Sequence, residues 1–244
     1  MINNLRRLFD TQLKGLVRNT FPKLYTFLLP FLESIPMRPF GNIYYNSYAD
    51  DYDTLRQDTD FWKKEQLALE VDLQRFIEER STILDVPVGT CRFIKLYQTK
   101  KINLVGVDLS KEMLAICKAK LGKTDVFATL LCSPSFPLHL ESKSVDHAVS
   151  CRFLQSIVSL SDAKKTILEM KRVSKGCIFL ELGYRKNEVF RWRAPKPDET
   201  MRKLLYKNEL LKLLQECGLI VMAQSRVVNE DTIGAQRVFA CKTR

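Results

Sequence analysis

The sequence predicts an α/β fold: a doubly wound, mostly parallel sheet of seven strands, with a helical extension at the N-terminus. Two observations carry this. Between residues 61 and 218, short apolar runs of strand length alternate with segments of helical periodicity. The last two apolar runs then follow one another with no helix between them, so the final strands should pair antiparallel. With 244 residues, 45% of them hydrophobic, the chain is long enough to bury one sizeable core.

The elements are read in order. A helix is expected over 61–79, where Trp62, Leu67, Leu69, Val71, Leu73 and Phe76 lie among Glu, Lys and Gln. Strand one is the short apolar run 83–86, of the kind buried on both faces. A helix over 92–99 and a second strand over 104–107 follow. Ser110 is a good N-cap for a helix with Met113 and Leu114 behind it, ending near Gly122. Strands are expected at 126–131 and 145–150, a helix at 162–173 and a strand at 177–182. A helix over 208–217 is stopped by Gly218, and strands at 219–223 and 237–241 close the chain.

Two segments stand outside this alternation. In the arm 1–45, Leu5, Leu8, Phe9, Leu13, Leu16 and Val17 recur at helical spacing, opposite Arg6, Arg7, Asp10, Lys14 and Arg18. Pro22, Pro30 and Pro36 then interrupt a Leu-rich, aromatic stretch. This arm reads as a helical cap on the domain 46–244, a membrane-surface anchor, a partner-binding arm or a targeting peptide. The loop 183–207 is basic, with Arg185, Lys186, Arg191, Arg193, Lys196, Arg202, Lys203 and Lys207 around Phe190 and Trp192. It reads either as a solvated insertion over a pocket or as a binder of nucleic acid or phosphate.

Bulk properties narrow the classes. The net charge of +11 favours polyanionic partners, RNA or an anionic membrane surface among them. The seven cysteines form no Cys-x-x-Cys pair, and with only His139 and His147 no zinc-ligand spacing exists, so no metal is expected. Scattered cysteines fit reduced thiols and a cytoplasmic location, with peripheral membrane attachment left open by the arm. No stretch of 18 apolar residues and no secretion signal is expected.

The chemistry concentrates at two strand ends. The first strand leads into Asp85-Val86-Pro87-Val88-Gly89-Thr90-Cys91-Arg92-Phe93, and the second ends in Gly106-Val107-Asp108-Leu109-Ser110. A tight turn lets a ligand approach backbone amides at a helix start. An acidic residue ending the next strand can accept hydrogen bonds from ribose hydroxyls.

With these residues the chain resembles the class I S-adenosylmethionine-dependent methyltransferases, whose fold is Rossmann-like. The turn Asp85-x-Pro87-x-Gly89-x-Cys91 is similar to their Asp-x-Gly-x-Gly-x-Gly. Asp108-Leu109-Ser110-Lys111-Glu112-Met113-Leu114 matches their acidic strand end and the helix after it. Ser144-Val145-Asp146 ahead of a strand, Tyr206 with Glu209-Leu210-Leu211 and Gly218, and the Tyr-rich segment from Tyr48 to Asp53 match further signatures. The resemblance spans about residues 45–244.

The resemblance implies S-adenosylmethionine as cofactor. Asp85, Val86, Pro87 and Gly89 would hold its methionine end, Asp108 its ribose, and Leu109 and Met113 its adenine. Cys132 or Ser133 would stand where the family often has an acid contacting the adenine amino group. Residues from Ser150 to Phe153 would floor the transfer site. The chain departs from the pattern at Pro87, at Cys91, whose side chain either faces the cofactor or packs under the helix start, and at Cys132. His139 is a candidate base, Arg152 a candidate binder of an anionic acceptor group, and His147 reads as a satisfied sheet histidine. The motifs of base-amino and cytosine-C5 methyltransferases are absent. Three readings stay open: methyl transfer to a small molecule, lipid or glycan precursor; an RNA methyltransferase; and a non-catalytic binding or scaffold protein on the same fold.

Overall fold

The computed structural model describes residues 52–53, 60–154, 158–185, 206–226 and 234–243. All belong to the second of the chain's two units, Gly41–Arg244. The arm 1–45 and most of the basic loop 183–207 lie outside the described residues.

The described elements run α1 (Asp60–Phe76), β1 (Thr82–Asp85), α2 (Ile94–Thr99), β2 (Asn103–Asp108), α3 (Lys111–Leu121), β3 (Ala128–Cys132), β4 (His147–Ser150), α4 (Leu160–Val173), β5 (Cys177–Arg185), α5 (Lys207–Glu216), β6 (Leu219–Arg226) and β7 (Gly234–Thr243). The seven strands lie in the order β3-β2-β1-β4-β5-β7-β6. The first five are mutually parallel, and β7 runs antiparallel between β5 and β6. The order reverses at β1, between its neighbours β2 and β4, which is where an open α/β sheet leaves a crevice for a ligand.

Both faces of the sheet are covered. Ala163, Ile167 and Met170 of α4 and Leu210 and Leu214 of α5 pack with Leu84, Ile178 and Leu180 in one core. Leu69 and Leu73 of α1, Tyr97 of α2 and Cys117 of α3 pack with Ile83, Leu104 and Phe179 in the other. The central strands β1, β4 and β5 are mostly apolar because both of their faces are covered, whereas β3, at the edge, mixes half-buried and exposed residues.

Several boundaries move from the sequence expectation, each for a local reason. Helix α1 stops at Phe76, not 79, because the Lys100 ammonium donates to the carbonyls of Gln74 and Ile77 and caps the last turn. Strand β4 begins at His147, since Val145 makes only an isolated bridge to Ser174 and the Asp146 carboxylate takes the Thr82 amide at 2.8 Å. Strand β5 runs on to Arg185 because β7 starts at Gly234 and pairs along its full length. The Ser110 cap forms as expected, its hydroxyl accepting from Met113 N at 3.1 Å. His147 accepts from Cys177 N at 3.0 Å, a satisfied sheet histidine. Among the described residues, no helix is long and apolar enough to cross a membrane.

Candidate functional site

The turn after β1 is shaped by its own backbone. Val86 N bonds to Val149 O at 3.0 Å and Val88 N to Val107 O at 2.9 Å, so the chain leaves β1 still tied to β4 and β2. Gly89 then turns at φ +54°, with open space where a Cβ would stand. Asp108 closes the arrangement from β2: one carboxylate oxygen accepts Gly89 N and the other Ser110 N, both at 2.9 Å. Each oxygen keeps lone-pair capacity for a further donor. Burial pushes the Asp108 carboxyl above its ordinary range, against the pull of the Ser110, Gly89 and Leu109 amides.

Cys91 adopts φ +59°, where the family pattern has a glycine. Its side chain is buried in the core beside Cys117, so it packs under the helix start and does not line the cavity. All seven cysteines are unbridged.

A cavity of about 390 Å³ opens over these strand ends, within the range of small-molecule sites. Of the residues singled out from the sequence, Asp85, Val86, Pro87, Gly89, Asp108, Leu109, Met113, Ser133 and Arg152 line it. Three others do not. Cys132, last in β3, is exposed and turns its sulfur toward Leu109 O at 3.7 Å. Ser150 is 1% exposed within β4, covered by the sheet. His139 is exposed in the loop before β4 and does not line the cavity.

A second cluster shares the same wall. Arg92 lies over the Trp62 ring, donates from Nε to Gln66 at 2.6 Å, from Nη1 to Glu65 at 2.5 Å and from Nη2 to Trp62 O at 3.2 Å. Glu65 is fully buried and also takes Arg152 Nη1 at 3.1 Å. Arg152 N and Cys151 Sγ donate to Glu181 at 2.6 and 3.2 Å. Glu65 and Glu181 are hydrogen-bonded to each other, so one of them carries a proton. Burial and the neighbouring Glu65 charge push Glu181 up to about 8, while the two arginines and the bond from Glu181 hold Glu65 low. Glu65, Cys151 and Glu181 offer atoms within 4.8 Å of one another, a spacing compatible with a metal ion. Arg92 and Arg152 already supply the positive charge there, so the arrangement is an ion-pair network.

The sequence reading missed Trp62, Glu65, Arg92 and Glu181. Two signals could have found them: a charged residue inside the apolar run of β5, and Glu65 on the same helical stripe as Leu69 and Leu73.

Further along the turn, Asp53 is tied to it by Thr90, whose hydroxyl donates at 2.7 Å, and by an ion pair with Lys120. Lys120 also reaches Thr90 O at 2.8 Å. Tyr52 and Asp53 thereby form part of the cavity wall.

The site's residues fit S-adenosylmethionine: carboxylates for its ammonium and ribose, an open glycine turn, and Leu109 and Met113 for an apolar ring. Comparison with known proteins agrees. A family model described as "Methyltransferase domain" matches residues 84–179. No curated protein matches the sequence. Magnesium protoporphyrin IX methyltransferase from Synechocystis PCC 6803, solved with bound SAM, superposes with a TM-score of 0.62 at 10% identity, covering 86% of this chain and 100% of that one. An S-adenosylmethionine-dependent methyltransferase from Clostridium acetobutylicum ATCC 824 gives 0.60 at 17% identity, covering 81% and 98%. The [4+2]-cyclase SpnF gives 0.65 at 14% identity, covering 86% and 98%. At these identities the structural likeness establishes the fold. Residues 84–179 thus match a methyltransferase domain, and the chain around them has the fold of the S-adenosylmethionine-dependent methyltransferases.

Proposed function

We propose that this protein transfers the methyl group of S-adenosylmethionine to a small-molecule, lipid or glycan-precursor acceptor bound in the same cavity. The observation that carries the reading is the shared wall. The Asp85 and Asp108 strand ends and the Trp62–Arg92–Arg152 cluster border one cavity of about 390 Å³. Phe136, Phe153 and Val158 add apolar surface to it, which suits an acceptor with an apolar body.

When bound, the cofactor supplies an electrophilic methyl group. The chain's part is to hold an acceptor close to it and to keep water out. Asp85 and the turn to Gly89 would hold the cationic methionine end, Asp108 the ribose, and Leu109 and Met113 the adenine. Trp62 and Phe153 would flank the acceptor, with Arg152 beside them. Among the described lining residues there is no histidine. Glu65 is engaged by two guanidiniums and Asp53 by Lys120. The described wall therefore favours an acceptor whose nucleophile needs little help in losing a proton.

The test is calorimetric titration with S-adenosylmethionine and S-adenosylhomocysteine, followed by transfer of a labelled methyl group to lipid, glycan-precursor, small-molecule and tRNA pools. Binding of both ligands with label in a non-RNA pool is expected. Label in tRNA alone would replace this reading with an RNA methyltransferase. Absence of binding at millimolar ligand would replace it with a scaffold role.

A further inference from the structure

Asp85 ends β1 and belongs to the cavity wall, yet it is only 2% exposed. Behind it stands Tyr97 of α2, fully buried, whose hydroxyl donates to Asp85 Oδ2 at 2.9 Å. The phenol is well anchored. Tyr97 N bonds to Phe93 O and Ile102 N to Tyr97 O, each at 2.9 Å. Its ring lies tilted on Phe93, 6.1 Å between centroids. The tyrosine has no access to the cavity, so its role toward a ligand runs through Asp85.

Other groups act on Asp85 as well. Asp108 from β2 opposes its charge, and Arg92 in the turn supports it. Cys91 lies near it, and Cys151 after β4 lies near Tyr97. A buried carboxylate beside a second carboxylate gains either by taking a proton or by meeting a cation. A phenol that donates to it favours the ionised form and fixes which oxygen is occupied.

We propose that Tyr97 is a positioning residue for the cofactor's amino group. Its hydroxyl holds Asp85 Oδ2, so that the carboxylate is ionised and oriented to receive the ammonium through its other oxygen. The assignment rests on the cofactor reading above and adds to it a residue outside the motif that recommends that reading. Burial pushes the Asp85 carboxyl up to about 7, and the bond from Tyr97 works in the opposite direction. Removing that bond raises the pH at which Asp85 ionises. Ammonium binding then weakens at neutral pH and recovers in alkali.

The experiment compares two ligands across pH 5.5 to 8.5, a range set by Asp85 near 7. S-adenosylhomocysteine carries the amino group; 5′-methylthioadenosine lacks the amino-acid end. For the natural protein, S-adenosylhomocysteine affinity should climb through this range, and 5′-methylthioadenosine affinity should stay flat. Tyr97→Phe keeps the ring and loses the hydroxyl. For a rise of one pKa unit, it should weaken S-adenosylhomocysteine about fivefold at neutral pH and about tenfold at the acidic end, with little change at the alkaline end or for 5′-methylthioadenosine. Asp85→Asn should flatten the profile.

Three results overturn the proposal while leaving the cofactor reading in place. One is equal pH profiles for the two ligands on the natural protein, a comparison that stands even if the variants do not fold. The second is S-adenosylhomocysteine binding unchanged in Tyr97→Phe at neutral pH. The third is a pH slope that persists in Asp85→Asn. Failure of both ligands to bind the natural protein overturns the cofactor reading, and the proposal with it.

Discussion

The Arg92 guanidinium carbon lies over the Trp62 ring, 3.5 Å from its centroid, while the same guanidinium grips Glu65 at 2.5 Å. The indole and the carboxylate come from one helix, α1, and the arginine from the turn after β1. This contact joins the helix to the turn after β1.

Arg92→Met should therefore cost more than a surface ion pair would. It leaves Glu65 paired with Arg152 and removes the guanidinium from the face of Trp62. Breaking a buried pair from one side costs about 3–5 kcal/mol. Urea unfolding of the variant should show this loss, and Arg92→Lys should recover only part of it, since an ammonium lacks the fork that serves Glu65, Gln66 and Trp62 O together.

Glu181→Gln should change how stability depends on pH. The Glu181 pKa is raised to about 8 in the folded chain from an ordinary 4.5. Between those values the native state holds a proton that the unfolded chain has released. Its contribution is complete below about 4.5 and is lost as pH rises toward 8. Glutamine keeps both a donor for Glu65 and an acceptor for Arg152 N, without the proton. The melting temperature of the variant relative to the natural protein should rise from acid to pH 8, and a constant difference would contradict the assignment.

Asp108→Ala should abolish measurable S-adenosylhomocysteine binding, a loss of about a hundredfold or more if two charge-assisted bonds to ribose disappear. It should also soften the turn, because both carboxylate oxygens hold backbone amides. A stability loss on the order of 1–3 kcal/mol is expected. Calorimetry and thermal melts of the same sample separate the two effects.

Cys91→Gly should leave S-adenosylhomocysteine affinity unchanged, because the sulfur lies in the core and not on the cavity wall. Relief of the left-handed backbone, about 1–2 kcal/mol, is offset by the vacated volume beside Cys117 and by the greater freedom of glycine in the unfolded chain. A large affinity change would place the thiol at the ligand.

The strands and the turn after β1 were legible because both are local. Ile83 to Asp85, Asn103 to Asp108 and the Ser110 cap each announce themselves within a few residues. Ser150, Cys132 and His139 were placed by analogy of position, and their exposure and direction depend on which way the chain turns after each strand. The Glu65–Arg92–Arg152–Glu181 network was illegible because it joins four distant segments. Each arginine alone looks like any other in a chain of net charge +11.

Helix α1 carries one inward stripe with two kinds of duty. Trp62 and Glu65, in its opening turns, border the cavity, whereas Leu69 and Leu73, further on, are sealed in the core. Tailoring the pocket and holding the scaffold therefore overlap in the opening turns, because Glu65 both borders the cavity and answers two arginines. A change of acceptor preference made there would draw on stability as well as on shape, whereas the later turns serve the scaffold alone.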